Sequence, residues 1–181
     1  MEKGLTSEEK ILNRELLYTG SYLTLEKLQV RLPNRQVCDR EVVRVKNAVA
    51  VLPVNEKGNV HLVRQFRPAI EQLILEVPAG LMDGDENPEQ TALRECEEET
   101  GYRPRKLQKL LTYAHAEGYS TGFITLFLGT ELEYTGNIHL DNSEFLELVM
   151  VPFAELVYRV QTNQIIDSKT ILCTLLSQGR I

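Results

Sequence analysis

Three glutamates, Glu95, Glu98 and Glu99, stand at i, i+3 and i+4. In a helix that spacing stacks their carboxylates on one face within about two turns. Like charges at i and i+4 weaken a helix by roughly 0.2–0.5 kcal/mol per pair, and no lysine stands beside Glu95 or Glu99. A positive charge is therefore expected at this face. Magnesium suits the role, because a hard cation takes oxygen ligands, keeps several waters and bridges a few carboxylates to phosphate oxygens. Such a ligand set implies a phosphate substrate. By itself the run Glu97-Glu98-Glu99 reads as the solvated side of an amphipathic helix with Ala92, Leu93 and Cys96 turned to the core.

The longer frame overturns that bland reading. It runs Gly80, five residues, Glu86, seven residues, then Arg94-Glu95-Cys96-Glu97-Glu98-Glu99-Thr100-Gly101-Tyr102. This frame resembles the signature box of the Nudix hydrolases at each fixed position, with Cys96 where the family prefers a larger aliphatic residue. So many specified positions are far more selective than a lone glycine motif. The resemblance implies a loop, helix, loop unit whose carboxylates hold a divalent metal, magnesium or manganese. Water then attacks one phosphorus of a diphosphate joined to another moiety. Carried over, Glu95 and Glu99 are the principal ligands, Glu98 is an additional ligand with a catalytic part, and the Ala79 carbonyl is a further ligand. Ala79 and Gly80 would also border the substrate. Gly80, Glu86, Arg94 and Gly101 would be structural, with Glu86 and Arg94 pairing to hold loop against helix. The metal offsets phosphate charge and lowers the pKa of a bound water, so little covalent chemistry is asked of the protein.

Outside the box, Arg40-Glu41-Val42-Val43, Ala48 to Pro53, Val63-Arg64-Gln65-Phe66-Arg67, Leu75-Glu76-Val77-Pro78-Ala79-Gly80 and Ile166-Asp167-Ser168-Lys169-Thr170 are similar to the ADP-ribose and nucleoside-diphosphate-sugar branch of the family. That branch implies a homodimer with exchanged N-terminal strands, and it makes Arg40 and Arg67 candidate substrate contacts. Arginine suits the task, since its fork donates to phosphate oxygens and its plane stacks on a base. A surface ion pair is the alternative for either. The stretch Ala116-Glu117-Gly118-Tyr119-Ser120-Thr121-Gly122 departs from the marker loop of the branch, with Glu117 in place of proline and Gly122 in place of glutamate. A tyrosine in this loop resembles the diadenosine polyphosphate hydrolases. An acidic loop residue that binds metal or serves as base in the branch corresponds best to Glu144; the base is Glu144, Asp141 or a metal-held hydroxide. His61, His115 and His139 have no metal-triad spacing.

The elements that must position these groups follow from pattern. Thr6-Ser7-Glu8-Glu9 has capping-box spacing for a short first helix. Leu16–Val30 and Val37–Val45 read as strands joined near Pro33-Asn34, with little apolar material of their own. A marginal N-terminal sheet needs the main domain or a second subunit to pack on, so residues 1–46 are expected to serve dimerisation and 47–181 to form the hydrolase domain. Core strands follow at Ala48–Val54, Val60–Phe66 and Leu73–Val77, with a turn at Glu56-Lys57-Gly58. Asn87 caps the carboxylate helix, Pro88 begins it, Gln90 sits at the capping-box position and Gly101 stops it. Strands at Leu107–His115, Phe123–Leu132 and Phe145–Val151 come next, then a helix opened by Pro152 and a last one capped by Asp167-Ser168 and running through Leu176. Without a regular βαβ rhythm, the expected class is α+β: a mixed sheet between helices, an α/β/α sandwich of the Nudix type, plus a small N-terminal antiparallel sheet.

Composition bounds the rest. A chain of 181 residues, 43% hydrophobic, is long enough for one good core, and a net charge of −6 argues against nucleic acid or an anionic membrane as partner. Cys38, Cys96 and Cys173 form neither a disulfide framework nor a zinc motif, the polar start is unlike a signal peptide, and Ala48–Val54 is too short to span a bilayer. A cytoplasmic protein is expected. Its reaction would convert ADP-ribose or a related NDP-sugar to a nucleoside monophosphate and a sugar phosphate. The alternatives are hydrolysis of a diadenosine polyphosphate or NAD(H)-like dinucleotide, and a silent Nudix module that binds ADP-ribose.

Overall fold

The computed structural model describes residues 7–84, 86–140 and 145–181. Among these the chain forms ten strands in three sheets and three helices, divided between two compact units. One unit holds the N-terminal strands through Asn47 together with Ala114–Phe123; the other holds Ala48–Tyr113 and Ile124–Ile181.

In the first unit, β1 (Lys10–Thr19), β2 (Thr24–Arg31) and β3 (Val37–Arg44) form an antiparallel sheet. No helix precedes it in Ser7–Glu9, and Lys10 already pairs with Arg31. Thr6, which opens the expected capping box, lies outside the described residues. The expected single strand from Leu16 to Val30 is broken, because Gly20 N donates to Leu23 O at 2.9 Å and turns the chain. All ten residues of β1 are exposed, and β2 buries only Leu28 and Val30. Residues 116–122 lie along the edge of β3, where Val43 N donates to Tyr119 O at 2.7 Å and Thr121 N donates back to Val43 O at 3.1 Å.

In the second unit, β4 (Ala48–Pro53) is buried on both sides, which explains its unbroken apolar sequence. Ala50 and Leu52 join a core with Leu126, Leu128, Leu156 and Cys173, whereas Val49 and Val51 meet Phe127, Ala92 and Cys96 on the other face. Its sheet has the order β7-β4-β9-β8, built with β7 (Ala79–Leu81), β8 (Tyr102–Ala114) and β9 (Phe123–Tyr134). β9 runs parallel to β4 and β7 antiparallel, so the sheet is mixed. A second sheet places β5 (Asn59–Arg67) between β6 (Gln72–Glu76) and β10 (Leu146–Pro152). The helices are α1 (Pro88–Thr100), α2 (Phe153–Gln161) and α3 (Ser168–Ser177). α1 supplies Ala92 and Cys96 to one face of β4, while α2 and α3 supply Leu156 and Cys173 to the other. This is the expected mixed sheet between helices.

Two strands differ from expectation. β7 has three residues, too few to show a period. β8 begins at Tyr102 rather than Leu107 and passes through Pro104, which an edge strand tolerates. Pro104 lies over Gly129, where a Cβ would come within 2.8 Å of the ring. Among the described residues no helix is long and apolar enough to cross a membrane.

Candidate active site

α1 carries the three carboxylates. Its start is set by Asn87, whose side chain accepts from Glu89 N at 2.8 Å, so the cap closes on Glu89 and not on Gln90. Gly101 ends it at φ 75°, a left-handed conformation, and donates from its N–H to Glu97 O. Cys96 is fully buried beneath Val49, Val51 and Phe127, so a residue smaller than the family preference closes this packing. Burial pushes its thiol pKa up to about 12, and the group is inert.

Part of the positive charge expected beside the glutamates comes from within the helix. Arg94 Nη1 lies 2.7 Å from Glu95 Oε1 and 2.9 Å from Glu98 Oε2. Its Nε and Nη2 each reach Glu86 at 3.3 Å, and Nη2 also donates to Leu81 O at 3.5 Å. Glu86 N in turn donates to Asp83 O at 3.0 Å. One guanidinium thus ties the loop before α1 to the last two turns of the helix. Burial works to lower the Arg94 pKa, and Glu86, Glu95 and Glu98 more than reverse it. Arg94 also draws the Glu86 pKa down.

Ala79 and Gly80 sit in β7 opposite Ala50 and Val49, and α1 packs over that strand. The Glu95 carboxylate rests on the bare Cα of Gly80: a Cβ there would lie 2.0 Å from Glu95 Cδ and 2.2 Å from Oε1. Any side chain at position 80 would evict this carboxylate. Glu99 adds a buried oxygen, Oε2, that has no hydrogen-bond partner, while the charge of the residue is felt by Arg67.

Arg67, at the end of β5, is held by a carboxylate that pattern reading did not single out. Its Nε and Nη2 donate to Glu76 Oε1 and Oε2, both at 2.8 Å, a bidentate fork. Glu76 is 1% exposed. Lys169 Nζ lies 3.1 Å from Glu76 Oε2 and 2.6 Å from Asp167 Oδ1. Asp167 caps α3 by accepting from Thr170 N at 2.9 Å, and Thr170 Oγ1 accepts from Val77 N at 2.8 Å. Burial works to lower the pKa of Arg67 and of Lys169, and the carboxylates beside them raise both instead. A lone glutamate in an apolar strand and a lysine in the first turn of a helix are each unremarkable; 93 residues separate them.

In the N-terminal unit, Arg40 and Tyr119 line one cavity of about 710 Å³ with Lys27, Asp39 and Glu41. Arg40 Nη2 also pairs with Glu9 at 2.7 Å. Gly122 has no room for a larger residue, because a Cβ would come within 2.6 Å of His115 Cε1 and 2.7 Å of Val45 Cγ2. His115 lies with Nδ1 3.1 Å from Gly122 O.

A family model described as NUDIX domain matches residues 44–173. The chain belongs to the Nudix family. An ADP-ribose pyrophosphatase of Bacillus subtilis (strain 168) is 38% identical over 90% of this chain and 89% of its own length. A methanol dehydrogenase activator of Bacillus methanolicus is 35% identical over 93% and 92%. A crystal structure of an ADP compounds hydrolase superposes with a TM-score of 0.85 over 99% of this chain and 100% of that one, at 24% identity, a likeness of fold.

Nudix hydrolases generally need a divalent metal, and the donor set fits one: the Glu95 carboxylate cradled on Gly80 and the unsatisfied buried oxygen of Glu99 are hard oxygen donors. Among the described residues no three His, Cys, Asp or Glu side chains form a ready cage. Asp141 and Glu144 of the acidic loop lie outside the described residues. The chain leading to them is pinned to α1, since His139 N donates to Glu98 O at 3.1 Å and Thr135 N to Gly101 O at 2.9 Å. Glu97, the Nudix-box glutamate given no role from sequence, anchors the same segment: it accepts from Asn137 Nδ2 at 3.0 Å and Arg103 Nη1 at 2.6 Å. Asn137 first and Arg103 second hold its pKa below the ordinary value. His61 is buried against Tyr102, with ring centroids 4.3 Å apart. Asn55 Oδ1 already accepts from the Lys57 and Asn59 N–H groups, so its Nδ2 faces His61 Nε2 as donor and the imidazole is an acceptor there. Burial lowers its pKa.

Proposed function

We propose that this protein hydrolyses ADP-ribose or a related NDP-sugar to a nucleoside monophosphate and a sugar phosphate, with magnesium, or manganese in its place, held by Glu95, Glu99, Glu98 and the Ala79 carbonyl. The observation that carries the reading is the Glu95 carboxylate seated on the side-chain-free surface of Gly80, within the Nudix frame. The 38% identical ADP-ribose pyrophosphatase supports the substrate class.

The reaction adds the oxygen of water to one phosphorus, breaks the anhydride P–O bond and leaves two phosphate monoesters. A bound divalent ion supplies charge neutralisation and an acidified water. Arg67, with two nitrogens committed to Glu76, presents its remaining Nη1 edge to a diphosphate oxygen. Glu86 and Arg94 fix loop against helix so that Glu95 keeps its seat. Glu98, shared with Arg94, completes the carboxylate face; Glu144 or Asp141 is the candidate base for the attacking water, which a bound metal would acidify enough to need little help. Within the N-terminal unit Arg40 and Tyr119 line one cavity, and Arg40 is the candidate contact to base or diphosphate that the family resemblance offers.

The N-terminal strands join two copies in a homodimer, a reading supported by exposed Ile11, Leu16, Leu17 and Tyr18 on β1. The free cysteines suit a cytoplasmic location. The test is a phosphate-release screen with magnesium, coupled to a phosphatase, across ADP-ribose, NDP-sugars, diadenosine polyphosphates and nicotinamide dinucleotides. Turnover of ADP-ribose or one NDP-sugar is expected; activity confined to dinucleotides, or none, overturns the substrate assignment. Light scattering after size exclusion should give the mass of two chains.

A further inference from the structure

Arg67 is aimed at substrate by groups on a distant helix. Its fork spends Nε and Nη2 on Glu76, and its side chain is still 41% exposed, so one edge is fixed and the other open. Glu76 Oε2 takes Arg67 Nη2 and Lys169 Nζ together, while Lys169 reaches Asp167. Two cations thus meet two carboxylates, three of the four groups being nearly out of solvent. The latch of Val77 N on Thr170 Oγ1, itself a donor to Asp167 Oδ2 at 2.7 Å, fastens the end of β6 to the first turn of α3.

We propose that Lys169 is a positioning residue for the reaction: by pairing with Asp167 and Glu76 at once, it leaves Glu76 free to clamp Arg67 in the orientation that serves the diphosphate. Without it, two buried carboxylates compete for one guanidinium, because Asp167 already acts on Arg67 through space. A guanidinium drawn between two carboxylates no longer offers a two-pronged fork to either. Arg67 then swings off the bearing that keeps it near Glu99, whose charge it feels. The catalytic consequence rests on the proposed diphosphate substrate; the holding of Arg67 does not.

The experiment pairs turnover with a direct view of Arg67. Full-length wild type, Lys169→Met, Lys169→Arg, Glu76→Gln and the Lys169→Met/Glu76→Gln double variant are compared by ADP-ribose hydrolysis with magnesium and by the 15N resonance of the Arg67 Nε–Hε group, assigned with Arg67→Lys. Lys169→Met should lower kcat/KM by about tenfold or more and broaden the Arg67 signal, and Lys169→Arg should restore most of both. The double variant should fall no further than Glu76→Gln, since Lys169 acts through that carboxylate. Should Lys169→Met fail to fold, the charge-balanced double variant set against Glu76→Gln still decides. Multiplying effects there, or an Arg67 signal and a turnover both unmoved by Lys169→Met, overturn the proposal. A lost signal with unchanged turnover overturns its catalytic part. A wild type inert on ADP-ribose and every NDP-sugar is instead the failure of the substrate reading, and the Arg67 resonance still shows whether Lys169 holds the fork.

Discussion

The second unit contains two knots of charge built on opposite plans. Around Arg94, three carboxylates share one guanidinium, and every member is partly open to solvent. Around Glu76, two cations balance two carboxylates, and only Arg67 is much exposed. The first has surplus negative charge and close neighbours in sequence. The second is balanced and drawn from strands and a helix far apart in the chain. On the proposed reading, exposure and balance separate the ion site from the brace. A buried ion pair is costly to break because the abandoned charge stays out of water, whereas exposed pairs contribute little.

That contrast breaks if the wrong knot governs stability. Lys169→Met should cost about 3–5 kcal/mol, since Asp167 and Glu76 remain buried; urea denaturation measures it, and a loss under about 1 kcal/mol would make the balanced knot no different from a surface pair. Glu99→Gln should act on the reaction alone, lowering magnesium-dependent kcat by about a hundredfold or more with the melting temperature held or raised, since a like-charge pair on α1 is relieved. If turnover survives, the metal assignment is wrong.

His61 supplies a control outside both knots. Its folded pKa is lowered by burial, so above the unfolded value of about 6.5 both states are neutral and nothing is lost. Below that value the unfolded chain takes up a proton that the folded one refuses. Stability should then fall as pH falls, by up to about 1.4 kcal/mol per pH unit, until the lowered folded pKa is reached. His61→Gln should flatten this limb in melts from pH 7 to 5. The smallest effect belongs to the open knot in acid. Arg94 depresses the Glu86 pKa, so this pair's contribution is present above the unfolded glutamate value of about 4.3 and fades as pH drops through the folded one. Melting curves at pH 5 and pH 3 should show a fade that Arg94→Met removes.

The open knot was legible in the sequence because a helix period and a fixed frame compress it into Gly80 through Tyr102. α1 came out with its bounds because Asn87, Pro88 and Gly101 act locally, although Asn87 chose Glu89 over Gln90. Legibility failed where local signals met long-range ones. Strand pairing begins at Lys10 with no helix over Ser7–Glu9, and Gly20-Ser21 cut a strand that apolar content had joined. The segments holding Glu76 and Lys169 were marked by resemblance, yet their pairing left no local trace, since nothing links the two residues until α3 is packed against β6. The roles of Arg40 and Arg67 were drawn from resemblance, and the fork to Glu76 is information that only folding supplies.

Gly122 has a consequence for how this protein can change. Its Cα is walled in by His115 and Val45, so a side chain placed there must displace both neighbours. Gly122→Glu therefore disturbs three positions at once, and a companion change of His115 or Val45 to a smaller residue should make it easier to accept. Substitutions at these positions are thereby coupled, and the order in which they occur decides how much each one costs.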